Sequence, residues 1–536
     1  MGFSGVYGYV VRSSSSRVSF VASDAPLPLG EYVELHYRVH SRVSGLLGEQ
    51  GGGERVALAV VSNASYEHAV PQSVMSYLGP RAGGVESLKL SHTTLYVVAE
   101  LSGGRAEPPR YPIPPDTPVR PASGDTLSRV YGGFTGGVRL GLLAPRSLGV
   151  EVRVNPDKLA KHLLIAGATG SGKSNTVAIL ADRLSAVGAP VVVFDVHGEY
   201  SLEPEDGDLS RVQIVEARIN PLRMDPRILA AIVIPEPQAR RQRRLLAKAM
   251  KGILRELREL SAKEGLSLVT ALQKLVERRV KPDSAEEEAV DQESQLIKGL
   301  RVLLVAEAKK VGGQEERVVD RVVDRVVEKV EEFFEVTPLT VTGELPTTHI
   351  SPGRMLVVDA STLGDEQKRW VLKIMVDEIL EKLKTGHLES TVLVVEEAPL
   401  FIGVDVGHPV KQSLQRFARE GRKFGGCLIA VSQRPRSLDV NVVSQLQNFV
   451  FLRMVQEEDI RAVMNIADNL DENLAKTIPS LPDGRAIVMG EWLGRFPAIV
   501  DIDLHKGKRI GATPPLTDIW ARGRAQTQKP QFSLEL

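Results

Sequence analysis

Eight consecutive residues set the architecture of this chain: Gly167-Ala168-Thr169-Gly170-Ser171-Gly172-Lys173-Ser174. They match G-x-x-x-x-G-K-[ST] at every fixed position, after an apolar run at Leu163 to Ala166 and before a helical pattern that begins near Asn175. Glycines let backbone N–H groups surround a phosphate because no Cβ intervenes, and the helix directs its positive end at the same anion. The motif predicts a nucleotide site in which Lys173 neutralises the β- and γ-phosphates and the Ser174 hydroxyl ligates Mg²⁺.

The residues after this loop continue with the periodicity of an amphipathic helix. Apolar side chains repeat on one helix face at Val177, Leu180, Ala181, Leu184 and Val187. Gly188 and Pro190 then end the helix. A strand, a glycine-rich turn and a helix in this order predict the first β-α unit of a P-loop fold.

The composition bounds the class of protein. A length of 536 residues suggests roughly two to four domains, and no apolar run approaches a membrane span. We expect a cytoplasmic protein without membrane contact, since the N-terminus lacks a signal-peptide pattern. The one cysteine, Cys427, lies in an apolar run and is expected to be buried, and the histidines show no ligand spacing, so no metal beyond Mg²⁺ is expected. Lys+Arg and Asp+Glu balance at 67 each, so any DNA contact requires locally gathered positive charge, for example around a pore.

Residues 1–150 differ in pattern from the rest of the chain. Short alternating runs are separated by Gly, Pro and Ser clusters, which predicts a small N-terminal β-barrel or sandwich. The proline-rich stretch Pro108 to Pro121 cannot enter a central strand, so we expect an edge, an extended wrap or a linker there.

An α/β core follows, predicted in two parts, 151–224 and 337–505. Its apolar runs have the near-continuous character of strands buried on both faces: Leu163 to Ala166, Val191 to Phe194, Met355 to Val358, Val392 to Val395, Leu428 to Val431 and Phe449 to Leu452. Helical patterns between several of them predict a mostly parallel sheet. Residues 506–536 show little periodicity and are expected to form a C-terminal arm.

Between the two parts, residues 225–336 are predicted to form an inserted helical bundle. One amphipathic helix is marked by Leu246, Met250, Ile253, Leu254, Leu257 and Leu260, and another runs from Val318 to Phe334. The charges of the second helix pair at i, i+3, as in Arg325 with Glu328, and are expected to be structural. The cluster Arg240, Arg241, Arg243 and Arg244 suggests phosphate contacts or a solvated helix face, and the second interpretation is favoured.

Hydrolysis requires an acid beside the phosphate loop, and the strand-like run Thr391 to Val395 ends in Glu396 and Glu397. In P-loop ATPases one such acid holds Mg²⁺ and the next deprotonates the attacking water. Successive strand residues face opposite ways, so only one is expected to point at the γ-phosphate. We assign Glu397 as the base and place Glu396 in the Mg²⁺ shell.

Two further features follow along the chain. Gln433, just after the apolar run that ends at Val431, suits a sensor that contacts the γ-phosphate. Upstream, Arg416 to Phe424 is a cationic cluster at a helix end. These cations either stabilise the helix dipole, or one of them reaches the γ-phosphate bound to a neighbouring subunit.

Taken together, these motifs resemble the HerA family of the HerA/FtsK branch of P-loop ATPases. The matching stretches occur in family order: His162 to Ser174, Phe194 to Tyr200, Val394 to Pro399 and Arg419 to Pro435. The start of the barrel, Leu29 to Val33, resembles the N-terminal HAS-barrel of that family. The resemblance covers essentially the whole chain, including the helical insertion.

The resemblance implies a RecA/FtsK-like core that binds ATP and Mg²⁺ between the subunits of a homohexamer. Such rings move double-stranded DNA through a central pore and resect broken ends together with a NurA-type nuclease. Pore contacts are expected from the loops Phe401 to Lys411 and Arg434 to Val440.

The family roles carry over to single residues of this chain. Lys173 and Ser174 form the Walker A pair, Glu396 and Glu397 the Walker B pair, Gln433 is the sensor, and Arg422 is the trans-acting arginine. The remaining nucleotide contacts are expected from Gly167, Thr169, Gly170, Ser171, Gly172 and Asn175, with Lys161 as a second inter-subunit cation and Lys506 and Gly507 opening a segment that covers the adenine. Asp195 and His197 belong to the family signature D-x-H-G-E-Y without direct contact. Many P-loop motors have Asp where this chain has Glu396, which puts its Mg²⁺ role in doubt.

Two other classes remain open. A secretion or conjugation motor of the same branch would move protein or nucleoprotein, usually from a membrane complex. A nucleotide-gated scaffold would recruit a nuclease without doing work.

Overall fold

The computed structural model describes residues 5–507, except 24, 40–53, 69–88, 103–104, 133–136, 201, 235, 237, 281–290, 315–319, 344–345, 468–469 and 495. The predicted C-terminal arm therefore lies outside the described residues beyond Gly507. In the described part of the chain, no helix is long and apolar enough to cross a membrane.

The first sheet closes into a barrel. Its strands are β1 (Gly8–Ser13), β2 (Val18–Ser23), β3 (Tyr32–Arg38), β4 (Glu54–His68), β5 (Lys89–Ser102), β6 (Arg105–Glu107) and β7 (Pro118–Pro121). The order is β2-β1-β7-β3-β4-β5-β6, and β2 also pairs with β5, which leaves β6 outside the closed ring. Alternating side chains such as Val33, Leu35 and Val119 fill the interior. The predicted barrel is thus present.

The proline-rich stretch was predicted to avoid a central strand, and that prediction is wrong for its last residues. β7 lies between β1 and β3 and bonds to both. Its prolines, Pro118 and Pro121, occupy the two ends of the strand, and Val119 and Arg120 lie between them. A four-residue strand with prolines only at its ends keeps the central N–H groups that a ladder requires.

The second sheet has eleven described strands. In addition to six strands at the predicted runs, β10 (Leu163–Ala166), β11 (Val191–Asp195), β13 (Met355–Asp359), β14 (Thr391–Val395), β15 (Gly426–Ser432) and β16 (Asn448–Leu452), it contains β8 (Val138–Leu143), β9 (Glu151–Val154), β12 (Val212–Glu216), β17 (Arg485–Gly490) and β18 (Ala498–Ile502). The order is β12-β13-β11-β14-β15-β10-β16-β17-β18-β8-β9. The seven strands from β12 to β16 are parallel, as predicted, and the rest are antiparallel.

The boundary predicted at residue 150 is displaced by this sheet. β8, inside the segment 1–150, pairs with β18, and β9 pairs with β8. The core therefore begins at about Val138 rather than after residue 150. Alternating polarity identifies β8 as a strand but cannot say which sheet supplies its partner.

Helices cover the parallel strands and form the insertion. Their bounds are α1 (Gly124–Tyr131), α2 (Lys173–Ala186), α3 (Pro226–Val233), α4 (Arg240–Glu264), α5 (Leu268–Arg279), α6 (Gln292–Gln314), α7 (Asp320–Val336), α8 (Asp365–Lys384), α9 (Pro399–Ile402), α10 (Pro409–Glu420), α11 (Val440–Val443), α12 (Glu457–Ile466) and α13 (Glu472–Ala475). α2 buries its predicted apolar face except Val187, which follows the helix and is exposed. Cys427 is buried, and burial raises the pKa of its thiol.

The predicted bundle lies between β12 and β13 as helices α3 to α7. α4 buries Met250, Ile253 and Leu257 against its neighbours, mainly α6, as the periodicity indicated. On α7, Arg325 pairs with Glu328 at 2.7 Å, which confirms the structural interpretation of that charge pair.

Candidate active site

Sheet order brings the predicted site residues to one edge. β14, β15 and β10 are parallel neighbours, so the segments that follow them leave the sheet side by side. Glu396 and Glu397 follow β14, Gln433 follows β15, and the phosphate loop follows β10. Residues more than 200 positions apart therefore meet at the carboxyl ends of three strands.

The phosphate loop adopts a conformation that requires its glycines. Gly170 and Gly172 have φ of 77° and 110°, which side chains with a Cβ rarely adopt. A Cβ on Gly167 would lie 2.6 Å from the Ser171 Oγ and 2.8 Å from the Leu452 Cβ. The backbone can close around a phosphate only because these positions carry no side chain.

Lys173 lies among acids at the start of α2. Its Nζ donates to the carbonyl of Ala168, 2.9 Å away, inside the phosphate loop. Burial lowers the pKa of Lys173, and the carboxylates of Glu397, Glu396 and Glu199 act in the opposite direction. The ammonium is held within the loop where a phosphate would neutralise it.

Glu396 is buried and lacks one hydrogen-bond partner. The Tyr200 hydroxyl donates to its Oε1, while its Oε2 has no partner among the described residues. Burial raises the pKa of Glu396 to about 8, and the neighbouring Asp195 and Glu199 add to the rise. A buried carboxylate oxygen with no donor is suited to a cation or to a water bound to one.

Glu397 is held in a left-handed backbone conformation with φ of 43°. Such a conformation is uncommon for glutamate and occurs mainly where surrounding contacts impose it. The Gln433 side-chain amide donates to Glu397 Oε1, and the Gln433 carbonyl oxygen accepts from the Thr169 hydroxyl at 2.7 Å. Gln433 thus connects the phosphate loop to the predicted base.

The expectation that only one of the two acids points at the site is not met. β14 ends at Val395, so neither glutamate continues the strand, and the turn at Glu397 breaks the alternation. Both carboxylates lie near enough to Lys173 to affect its pKa. A chain that leaves the extended conformation loses the period of two on which that expectation depended.

The signature after β11 folds into a tight loop around this centre. The Asp195 carboxylate accepts from the backbone N–H of His197, Gly198 and Tyr200 at 3.1, 2.8 and 2.9 Å. His197 Nε2 lies 3.8 Å from Glu397 Oε1. Asp195 therefore positions the loop, which agrees with the indirect role expected for it.

The sequence analysis missed Glu199, which lies in the same loop. Its Oε2 accepts a hydrogen bond of 2.9 Å from the Ser174 hydroxyl. With the hydroxyl hydrogen committed to Glu199, the lone pairs of Ser174 remain available for a metal ion. The available signal was position, because Glu199 follows a strand next to β14 within a motif already singled out.

These groups fit a magnesium ion. Ser174, Glu199 and the unpartnered Glu396 Oε2 offer the oxygen ligands that Mg²⁺ prefers. In the described part of the chain, no group of three His, Cys, Asp or Glu side chains could hold a metal by itself. Mg²⁺ usually binds through one or two carboxylates together with substrate phosphates, so the nucleotide would complete such a site.

We expect Glu199→Gln to raise the Mg²⁺ concentration for half-maximal ATPase activity by roughly 10- to 100-fold, the usual effect of removing a group that orients a metal ligand. Titration of Mg²⁺ at saturating ATP measures this. Glu203→Gln, which removes an exposed acid four residues along, is the matched control. An unchanged Mg²⁺ requirement in Glu199→Gln would contradict the assignment.

Asn175 and the C-terminal segment contact each other. The Asn175 side chain donates to the Asp503 carbonyl at 2.7 Å and accepts from the His505 N–H at 3.0 Å, so only its backbone N–H remains for a ligand. His505 also lies 3.1 Å from Asp182 on α2. Residues 503–507 therefore run beside the phosphate-loop helix, and Lys506 is exposed there.

Arg422 and Lys161 lie away from this site, at the opposite end of the same strands. Arg422 is exposed in the turn Gly421–Phe424 just before β15, and Lys161 precedes β10 and pairs with Glu491. β15 alone spans about 20 Å at 3.3 Å per residue. Neither cation reaches the phosphate loop of its own chain.

The fold and the site define a P-loop NTPase with a RecA/FtsK-like core. The family model "Helicase HerA, central domain" matches residues 138–379. A protein of Sulfurisphaera tokodaii named DNA double-strand break repair helicase HerA is 30% identical and is covered over 98% of each chain. A relative of the same name from Sulfolobus acidocaldarius is 29% identical over 97% of each chain.

This chain belongs to the HerA family. Among solved structures, it is similar to VirB4 of Thermoanaerobacter pseudethanolicus, with 17% identity, a TM-score of 0.46, and coverage of 69% of this chain and 97% of that one.

Proposed function

We propose that this chain is the subunit of an ATP-driven motor that translocates along and unwinds double-stranded DNA during the repair of broken ends. The connection from Thr169 through Gln433 to Glu397 carries this proposal. It couples the state of the phosphate loop to the acid that would activate water. The name shared by the relatives at about 30% identity supports DNA as the track.

The proposed chemistry uses ATP and Mg²⁺, and the metal supplies charge neutralisation at the phosphates. Lys173 would leave the Ala168 carbonyl to hold phosphate oxygens, and the N–H groups of residues 167–175 would surround them. Glu397 Oε1 would take a proton from the attacking water. Gln433 would exchange its bond to Thr169 for one to the γ-phosphate, and so register its presence.

Two loops continue directly from these residues. Glu397 leads through α9 into residues 401–411, and Gln433 leads into residues 434–440. The loops are fastened together: the Val404 N–H donates to the Ser437 carbonyl at 2.9 Å, and Lys411 pairs with Asp439 at 3.1 Å. A shift of Gln433 on hydrolysis would therefore move both loops as one unit, and we assign them the DNA contacts.

We also propose an assembly for this motor. It is a homohexamer with double-stranded DNA in its central pore and a NurA-type nuclease as partner. The barrel precedes a motor core that begins at β8, the helical bundle is inserted between β12 and β13, and the segment from Lys506 covers the adenine. Arg422, and with less direct support Lys161, would serve the site of the adjacent subunit, since each lies at the opposite end of the sheet from its own.

The proposal predicts an Mg²⁺-dependent ATPase that linear duplex DNA stimulates several-fold or more. The rate is measured with and without DNA, with the nuclease partner present, alongside the oligomer mass. Lys173→Ala serves as the blank for contaminating ATPase. Equal rates with and without DNA would contradict translocation while leaving nucleotide hydrolysis intact.

A further inference from the structure

A large groove lies in the helical insertion, outside the nucleotide site. Its volume is about 1650 Å³, and its walls come from α4, from the segment Leu222 to Arg227 and from the ends of α5 and α8. A volume of this size exceeds the roughly 300–1,000 Å³ of a small-molecule pocket. Its occupant is therefore expected to be a macromolecule.

One wall of the groove is a straight row of cations on α4. The lining residues Arg244, Lys248, Lys251, Arg255 and Arg258 are all exposed. Their spacing of four, three, four and three residues places them on a single helix face, opposite the apolar face that α4 buries. The row is about 21 Å long at 1.5 Å per residue.

The opposite wall adds two more exposed cations, Arg223 and Arg227. The acids of the lining are fewer and mostly engaged: Asp225 caps α3 through the Arg227 N–H at 2.7 Å, and Glu378 pairs with Lys382 at 3.0 Å. No ion pair between described residues involves Arg244, Lys251, Arg255 or Arg258. This concentration of charge stands out in a chain with no net charge.

The character of the lining discriminates between macromolecules. Protein interfaces are depleted of charge at their centres, whereas surfaces that bind nucleic acid are strongly positive. The apolar lining residues Leu222, Met224 and Leu254 are buried and offer little contact area. No described lining residue is aromatic, so unpaired bases would find no stacking surface.

We propose that this groove, the α4 groove, binds the phosphate backbone of double-stranded DNA independently of sequence. A row of about 21 Å spans roughly six phosphates at 3.4 Å per nucleotide of one strand. The site is separate from the loops 401–411 and 434–440 that we assign to the motor. It holds duplex DNA outside the catalytic cycle, whether or not ATP is hydrolysed.

The test removes three charges from the row in the full chain, as Lys251→Gln, Arg255→Gln and Arg258→Gln together. The control, Lys263→Gln, Lys309→Gln and Arg321→Gln together, removes three exposed cations of the same bundle outside the groove. Binding to closed-circular duplex DNA, which has no end to enter a closed ring, is measured without nucleotide across a salt series.

Each lost phosphate contact flattens the plot of log affinity against log salt by about 0.9. We expect a slope shallower by roughly 2 to 3 and an affinity at least about tenfold lower at low salt for the groove variant, with the control unchanged. Equal losses in both variants, or none in either, would overturn the proposal. Unchanged DNA binding with weakened binding of polyglutamate would assign the groove to an acidic protein instead.

ATP hydrolysis without DNA separates this proposal from the proposed motor. We expect the groove variant to keep the wild-type rate, because none of its three residues lies at the nucleotide site. Loss of circular-DNA binding with normal hydrolysis supports the α4 groove even if DNA fails to stimulate the ATPase. Loss of basal hydrolysis in the groove variant alone would contradict a separate site.

Discussion

Glu397→Gln is expected to lower kcat for ATP hydrolysis by roughly 10²- to 10⁴-fold, the range for removing a general base. The amide cannot accept the proton of the attacking water, yet it has nearly the same shape. Nucleotide binding should persist, because Lys173 and the loop N–H groups are untouched. Single-turnover hydrolysis together with equilibrium binding of ATP separates the two effects.

A matched control lies at the other end of the same strand. Glu389 is an exposed acid just before β14, and Glu389→Gln removes the same charge without touching the site. We expect it to keep the wild-type rate. A Glu397→Gln chain that hydrolyses ATP within a few-fold of wild type would remove this residue as the base and leave Glu396, which would then need to lose its proton despite its raised pKa.

Arg422→Ala is expected to reduce ATP hydrolysis by roughly a thousandfold or more, the scale of a guanidinium that stabilises the transferring phosphoryl group. The physical argument is the sheet: Arg422 lies before β15, about 20 Å from the edge that holds its own phosphate loop. It can act only on the nucleotide of another subunit. Its guanidinium is exposed and available for that contact.

Mixed rings test this directly. Doping Arg422→Ala subunits into wild-type rings should depress activity out of proportion to their fraction, because each variant subunit disables a neighbour's site. Lys423→Ala, which removes the adjacent exposed cation, is the control and should give little loss. A strictly linear decline with the fraction of Arg422→Ala subunits would contradict a role across the interface.

Much of the core was predictable because its parallel strands are buried on both faces. Runs such as Val191 to Phe194 are continuously apolar, which is typical of strands covered by helices on both sides of a sheet. The phosphate loop was predictable because its chemistry demands glycine, lysine and serine at adjacent positions. Glu199 could not be assigned in this way, since a single acid in a loop has no pattern, and only the fold brings it to Ser174.

The sequence by itself determined the class of fold, the nucleotide loop and the acids that follow β14, because each depends on local patterns of burial or on contiguous residues. Tertiary structure alone decided that β7 enters the barrel, that β8 joins the core sheet, and that Arg422 lies opposite its own site. It also gathered the cations of the α4 groove into a single face. These outcomes depend on which distant segments become neighbours, and strand pairing and helix packing set that through long-range contacts that a local pattern does not encode.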